Sequence, residues 1–243
     1  MADKEILIFV EGSSDKVFLE VYLYFLENIP IKNFKVKDVI GKDNLSKRLL
    51  EIEQYDKTLI IFDADKDYES NKKEILTVVL KTKQTISEEQ TISEEQTISE
   101  EQTISEEQTI SEEQIFLFPN NQDNGDLETL LLEIAEHKEI IQCFKRYLKC
   151  IECKCIGIKE HHGPIKNIRK NMLYAYLEVF ELQNFFKDKR NKNDKKNEEK
   201  IIIDGKGKIK EEHQEEYEKL KEVIDFNSNS LIPLKDFLGQ FAK

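Results

Sequence analysis

Acidic residues follow two short apolar runs of the chain. The run Ile6–Val10 is followed by Glu11, and the run Leu59–Phe62 is followed by Asp63 and Asp65. Short apolar runs of this kind are typical of buried strands, and residues two apart in a strand project to the same side. Because like charges at close range repel, we expect these carboxylates to share a cation.

Three further acidic residues are expected near the same edge of the fold. Asp15 lies four residues after Glu11, and Asp126 and Glu128 follow the apolar run Ile115–Phe118. In open α/β sheets, ligands bind at the carboxyl ends of parallel strands. Mg²⁺ prefers oxygen ligands and often binds through carboxylates and substrate phosphates. Five or six carboxylates could hold two such ions, the arrangement used in phosphodiester cleavage.

Each acidic group also has an explanation without a metal. A Glu-Gly pair after a strand is a common turn. An Asp-x-Asp sequence can cap a helix or lie in a solvated loop. Asp126 and Glu128 stand at a predicted helix start, where the helix dipole alone favours acids. The order and placement of all three groups is more specific than any one of them.

Strand and helix patterns alternate through the first half of the chain. Alternation of this kind predicts an α/β fold with a mostly parallel four-stranded sheet, flanked by helices on both faces. The predicted strands are Ile6–Val10, Phe34–Ile40, Thr58–Phe62 and Ile115–Phe118. The predicted helices begin after Ser13, cover Leu45–Ile52, run from Tyr68 through Leu80, and follow Asp126.

The pattern changes to mainly helical from Lys138 onward. We therefore expect residues 1–136 to form the α/β domain and residues 137–243 to form a helical region packed on it, ending in a docking helix. Residues 187–200 contain no apolar side chain, which predicts a mobile loop. Ile201–Lys208 is interpreted as a short strand and turn.

The hexapeptide TISEEQ occurs five times in tandem over Thr85–Gln114. Each copy carries two glutamates, so the array supplies 10 of the 12 net negative charges and the rest of the chain has a net charge of −2. The acidity therefore does not argue against a nucleic-acid partner. Successive isoleucines would lie roughly 240° apart on a helix, so no apolar stripe forms. We expect a solvated insertion at residues 85–114 that prolongs the preceding helix.

The stretch Ile141–Lys170 holds eight lysines or arginines against two glutamates, which favours contact with a nucleic-acid backbone. No apolar run approaches membrane-spanning length and the N-terminal sequence lacks a signal-peptide layout, so we expect a cytoplasmic protein without membrane contact. The phosphate-binding sequence GxxxxGK[ST] is absent, so any ATPase motor would be a separate partner. The oligomeric state is open, a homodimer included.

The motifs ILIFVEG and LIIFDAD resemble the Toprim class, named from topoisomerases and primases. In that class one strand ends in a Glu-Gly turn and a later strand ends in Asp-x-Asp. The extended motif EGSSD and the later GDLE are similar to small Toprim-like nucleases of the overcoming-lysogenization-defect type. FLFPNNQDNGDLETLL, with YAYL further on, is similar to a bacterial branch of the class. The resemblance covers roughly Lys4 to Ala135, without the repeat.

The resemblance implies a nuclease that hydrolyses phosphodiester bonds in DNA or RNA with one or two Mg²⁺ or Mn²⁺ ions. It implies that Glu11, Asp15, Asp63 and Asp65 hold metal, with Asp126 and Glu128 completing a second site. Related nucleases also use a downstream lysine near the leaving group. Lys170 is the candidate here, and Lys166, Lys206 and Lys208 are its rivals. Glu11, Asp63, Asp65 and Lys170 are thus the implied catalytic residues.

Two other functions use the same carboxylates. The first is a non-catalytic adaptor that binds nucleic acid or a protein partner in a defence or repair system, and the second is nucleotidyl transfer. Haloacid-dehalogenase phosphatases also carry a strand that ends in Asp-x-Asp. They place Thr or Val where this chain has Asp67, and the earlier Glu-Gly strand fits Toprim better. We interpret Asp67 as a helix cap.

A zinc site is the remaining alternative. Its candidate ligands are Cys143, Cys150, Cys153, Cys155, His161 and His162. The spacing is irregular. Cys143 and Cys150 fall on a predicted helical face, where cysteine packs as a small hydrophobic residue. Structural zinc is therefore not expected.

Overall fold

Four strands form one parallel sheet in the order β2-β1-β3-β4. They are β1 (Ile6–Val10), β2 (Phe34–Asp38), β3 (Lys57–Asp63) and β4 (Ile115–Phe118). All of β1 is apolar and buried, and β3 is buried from Thr58 to Phe62, as expected for strands covered on both faces. The predicted α/β class and its four parallel strands are confirmed.

The computed structural model describes residues 5–25, 34–49, 52, 55–94, 110–154, 167–186 and 209–241. For residues 25, 83–94 and 152–154 it describes the backbone alone. The predicted loop at 187–200 and the predicted strand and turn at 201–208 lie outside these ranges. None of the described helices is both long enough and apolar enough to span a membrane.

The strand order creates a switch point between β1 and β3. The chain leaves β1 for a neighbour on one side, β2, and returns on the other side as β3. Val10 pairs with both Asp38 and Ile61, so the three strands end close to one another. Ligands of open α/β sheets bind at such a point, outside the carboxyl ends of the strands.

Helices cover both faces of the sheet. One face packs under α2 (Leu45–Arg48) and α3 (Tyr68–Glu94), in a core that includes Phe9, Phe62 and Ile75. The other face packs under α1 (Ser13–Phe25) and α8 (Ile232–Gly239). Phe18 lies 5.9 Å from Phe118 and Phe116 lies 5.3 Å from Phe237, measured between ring centroids. The side of α1 that faces the sheet carries Val17, Phe18, Val21 and Tyr22, which are all buried.

Contacts divide the chain into two compact units. The first comprises Met1–Asp126 with Pro233–Lys243 and contains the sheet. The second, Leu127–Ile232, contains α4 (Leu127–Glu133), α5 (Lys138–Lys154), α6 (Ile168–Glu178) and α7 (Gln214–Val223). The buried Tyr176 hydroxyl donates to the Val223 carbonyl at 2.7 Å and joins α6 to α7. The later part of the chain is mainly helical, as predicted. The boundary between the two units falls at Asp126, whereas the sequence pattern placed the end of the α/β domain at residue 136.

The last copy of the TISEEQ repeat is part of the fold. Ile110 is 4% exposed and belongs to the core under α2 and α3. Gln114 donates from Nε2 to the Thr58 carbonyl of β3 at 2.8 Å, and Glu112 pairs with Lys72 at 3.0 Å. This copy leads directly into β4, so Ile110 lies close to the sheet. It can therefore be buried although the repeat as a whole forms no apolar face on a helix. The expectation of a solvated insertion is wrong for residues 110–114, whereas α3 does continue into the repeat as far as Glu94.

The buried Tyr22 should make the folded protein less stable at alkaline pH. Burial, and then the charge of Asp236, raise the pKa of Tyr22 to about 12. In the unfolded chain a tyrosine titrates near pH 10, so above that pH the unfolded state gives up the proton first and stability falls as pH rises. The loss is about 1.4 kcal/mol by pH 11 and at most about 2.7 kcal/mol beyond pH 12.

Urea unfolding at pH 8, 10 and 11 measures this effect in the wild type and in Tyr22→Phe. The wild type should lose about 1.4 kcal/mol more than the variant between pH 8 and pH 11. Parallel pH profiles for the two proteins would show that the Tyr22 hydroxyl titrates alike in the folded and unfolded states.

Candidate functional site

The acids predicted from strands β1 and β3 lie at the switch point. Glu11 directly follows β1, and Asp63 is the last residue of β3. Their strands are paired neighbours, with Val10 beside Ile61. The Oε2 atom of Glu11 is buried. The fold therefore places two of the predicted carboxylates on adjacent strand ends.

A lysine that the sequence reasoning missed lies among these carboxylates. The Nζ atom of Lys42 is 4.0 Å from Oε2 of Glu11 and donates a hydrogen bond to Oδ2 of Asp65. Burial lowers the pKa of Lys42, but the hydrogen bond to Asp65 and the charges of Glu11, Asp65 and Asp63 outweigh it and raise the pKa above its ordinary value. The ammonium group therefore stays charged in the field of three carboxylates from two neighbouring strand ends.

A tight turn after β2 positions Lys42. Ile40 has φ 58° and Gly41 has φ 94°, and a β-branched residue in the left-handed region is rare and strained. The Gly41 N–H donates to the Glu11 carbonyl at 3.0 Å, and Asn44 Nδ2 donates to the Ile40 carbonyl at 2.7 Å. These bonds fasten the turn to the end of β1, so the lysine is held beside Glu11 by the backbone.

The end of β3 is fastened to the segment that carries Asp126. Asp65 has φ 53°, and its N–H donates to the Gly125 carbonyl at 2.6 Å. The Tyr68 N–H donates to Oδ1 of Asn124 at 2.8 Å. The backbone just before Asp126 therefore lies next to Asp65, at the same edge of the sheet.

Two of the acidic residues have local structural roles. Asp15 is buried in the first turn of α1 and accepts the Gly12 N–H at 2.8 Å, which ties the Glu-Gly turn to the helix. Asp67 accepts the Ser70 N–H at 3.0 Å at the start of α3. The interpretation of Asp67 as a helix cap is confirmed.

Glu128 and Lys170 contact each other within the second unit. Nζ of Lys170 on α6 is 3.6 Å from Oε1 of Glu128 on α4. The glutamate side chain is 14% exposed and the lysine side chain is 52% exposed. The structure thus brings together two residues that the resemblance had selected separately. The rival lysines Lys166, Lys206 and Lys208 lie outside the described residues.

Two cysteines of α5 do not pack as expected. Cys143 and Cys150 are free thiols on the exposed side of the helix, so the prediction that they fill apolar space is wrong. Residues one or two turns apart share a face, but the spacing alone does not say whether that face is the inner one. Cys155, His161 and His162 lie outside the described residues, and only the backbone of Cys153 is described.

The carboxylates at the switch point have the chemistry of a site for a hard cation. Within the described ranges, no three His, Cys, Asp or Glu side chains converge closely enough to enclose a metal ion on their own. Mg²⁺, however, often uses only one or two carboxylates and completes its shell with water and phosphate oxygens. Glu11 and Asp65, which already share one cationic group, fit an ion held in this open manner.

The sequence gives only a weak indication that Lys42 belongs to the site. It lies in a Gly-Lys-Asp-Asn turn after the second predicted strand, which marks it as a loop residue at the carboxyl end of a strand. Its closeness to Glu11 depends on β2 lying beside β1, and periodicity carries no information on strand order.

The comparisons with known proteins give one family. No curated protein and no solved structure matches the chain. The profile of the family described as "Protein of unknown function (DUF3226)" matches residues 5–242, which include the sheet, the switch point and the helices of the second unit. The chain therefore belongs to the DUF3226 family.

Proposed function

We propose that the chain is a metal-dependent nuclease of the Toprim type that hydrolyses phosphodiester bonds in DNA or RNA. One observation carries the proposal: a single cationic group, the Lys42 ammonium, is shared by Glu11 and Asp65 at the switch point of a parallel sheet. A site built to hold positive charge at this point of the fold is what a carboxylate-bound Mg²⁺ or Mn²⁺ requires.

The roles of the first-unit residues follow from their positions. Glu11 and Asp65 would supply the oxygen ligands, and Asp63 would add negative charge from the end of β3. A bound Mg²⁺ or Mn²⁺ supplies Lewis acidity at the phosphoryl oxygen and lowers the pKa of water. The contributions of Asp15, Asp126, Glu128 and Lys170 remain predictions from the family resemblance.

Cleavage assays test the proposal. Purified protein is incubated with labelled single-stranded and double-stranded DNA and RNA, with and without Mn²⁺. We expect at least one substrate to be cut only in the presence of the ion. If none of the four substrates is cut under any condition, nuclease activity is rejected and the adaptor described below is the better function.

The helix α5 offers a surface for the nucleic-acid backbone. Its residue Ile141 is buried, and Phe144 and Leu148 on the same side are partly buried. The rest of the helix surface carries exposed side chains, namely Lys145, Arg146, Tyr147 and Lys149. Cations that track phosphates beside an aromatic ring that can stack on a base are the usual means of binding single strands. Tyr147 is 63% exposed, as such a role requires.

Replacing Lys145, Arg146 and Lys149 together with alanine should weaken nucleic-acid binding and make it less dependent on salt. Each phosphate contact contributes about one unit to the slope of log affinity against log salt concentration, so we expect the slope to fall by about 2 to 3. Fluorescence anisotropy with a labelled oligonucleotide at several salt concentrations measures both quantities.

The control for this variant removes the same charge elsewhere. Lys35, Lys73 and Lys235 are exposed lysines of the first unit. Their triple alanine variant has the same net charge as the α5 variant, and it should keep most of the wild-type slope. Equal losses in the two variants would show that binding depends on the overall charge and not on α5.

A non-catalytic adaptor is the second candidate, and the Lys42 contacts favour it. A permanent ammonium partner neutralises part of the carboxylate charge, so the strand ends could be stable without any metal. Tight nucleic-acid binding that is independent of metal and yields no product would support the adaptor. For both the nuclease and the adaptor we propose a cytoplasmic location and a separate protein as the source of any ATPase activity.

A further inference from the structure

We propose that Lys42 and a divalent cation compete for the same carboxylates, so that metal binding requires the Lys42 ammonium to leave Asp65. This inference rests on the proposed metal site and adds a residue that the carboxylate motifs do not contain. It makes Lys42 a positioning residue that sets how readily the site accepts an ion.

The competition follows from where the ammonium lies. It contacts Asp65 directly and approaches the buried Oε2 atom of Glu11 to 4.0 Å. These are the oxygen atoms that the proposed metal would use. An ammonium and a dication that approach the same oxygens repel each other, and the repulsion is strong where water is partly excluded. The Lys42 and Glu11 side chains are 21% and 27% exposed, so water screens this repulsion less at Glu11 than at Asp65, whose side chain is 52% exposed.

The structure also provides a place for the displaced ammonium. Nζ of Lys42 already donates to the neutral Oδ1 atom of Asn71, on α3, at 3.1 Å. On the same side, a cavity of about 280 Å³ is lined by Lys42, Asp43 and Glu74, with Phe62 and Ile75 also in its wall. Asp43 and Glu74 place two carboxylates in the wall of this cavity, which Lys81 also lines. The turn at Gly41 is held by its hydrogen bond to the Glu11 carbonyl, so we expect the ammonium to move by rotation of the lysine side chain, with Asn71 as its remaining acceptor.

The competition has a measurable consequence for metal affinity. Lys42→Gln removes the competing charge and keeps a long polar side chain. We expect it to bind Mn²⁺ about tenfold more tightly than the wild type, the effect of removing roughly one favourable ion pair from the unoccupied site. Isothermal titration calorimetry with Mn²⁺ alone, without nucleic acid, gives the dissociation constants.

Two further variants test whether the change in Mn²⁺ affinity comes from the Lys42 contact itself, and not from the overall charge of the protein or the shape of the side chain. Lys66→Gln removes the same charge from an exposed lysine next in sequence to Asp65, and its Mn²⁺ affinity should stay close to that of the wild type because exposed charges are screened. Lys42→Arg keeps the positive charge and should bind Mn²⁺ as weakly as the wild type. Far-UV circular dichroism checks that each variant is folded.

Thermal unfolding provides a readout that does not depend on activity. Without metal, Lys42→Gln should melt below the wild type, since the carboxylates lose their partner. At the same Mn²⁺ concentration, well above both dissociation constants, it should gain more in melting temperature than the wild type, because the stabilisation by a ligand that binds only the folded state grows with the logarithm of its affinity.

The outcomes distinguish failure of this inference from failure of the proposed function. Tighter binding to Lys42→Gln than to the wild type, Lys66→Gln and Lys42→Arg supports the competition, including the case in which the wild type binds no Mn²⁺. Equal affinities in all four proteins overturn the competition and leave the metal site intact. Absence of Mn²⁺ binding in every protein overturns the metal site, and the competition with it.

Discussion

Asp63→Asn should lower metal-dependent phosphodiester cleavage by on the order of 100-fold or more, the usual loss when a group that acts on developing charge is removed. Asp63 ends β3 at the switch point, and its charge acts on the same ammonium as the charges of Glu11 and Asp65. Asparagine has nearly the same shape as aspartate, so the change removes a charge and leaves the packing of β3 in place. Initial cleavage rates at saturating Mn²⁺ measure the effect.

Asp67→Asn is the matched control for this prediction. The same chemical change is made four residues further on, where the side chain caps α3 and asparagine caps as well as aspartate. The control should cleave at nearly the wild-type rate and unfold at nearly the same urea concentration. Equal losses of activity at Asp63 and Asp67 would mean that general acidity matters and that the strand end has no special role. Unchanged cleavage by Asp63→Asn and by Glu11→Gln would point to a contaminating nuclease.

Ile110→Ala should lower the free energy of unfolding by about 2 to 4 kcal/mol, the cost of deleting a buried isoleucine and leaving a cavity. Ile110 is 4% exposed in the core formed by β1, β3, β4, α2 and α3. Urea unfolding followed by circular dichroism measures the change.

The repeat supplies an unusually close control, because Ile98→Ala makes the same substitution within an identical hexapeptide. The difference between the two variants measures how much more Ile110 contributes to stability than an isoleucine in the same local sequence. We expect the larger loss at Ile110. Equal losses would contradict the prediction that Ile110 contributes more than the isoleucine of another copy.

The sheet and the positions of its acidic ends could be predicted because they depend on local patterns. The runs Ile6–Val10 and Leu59–Phe62 are short, apolar and bounded by charges, and helix-type patterns separate the strands. For a parallel sheet these features determine that Glu11 and Asp63 reach the same edge. This inference requires only that the two runs are recognised as strands and that their last residues are known.

Lys42, Ile110 and the cysteines of α5 could not be placed in this way, since each depends on a spatial relation. Lys42 reaches Glu11 because β2 is the neighbour of β1. Ile110 is buried because one copy of a repeat that forms no apolar stripe happens to precede β4. Cys143 and Cys150 share a helical face, but which face turns inward is decided by the residues that α5 packs against.

The docking of the final TISEEQ copy has a consequence for inheritance of the gene. All five copies have the same sequence, so loss or gain of any one of them leaves the same hexapeptide joined to β4. The isoleucine that enters the core, the glutamate that pairs with Lys72 and the glutamine that bonds to β3 are therefore regenerated at every change in copy number. A repeat tract that changes in length would thus keep the contacts described for its final copy, because an identical copy is always in place beside β4.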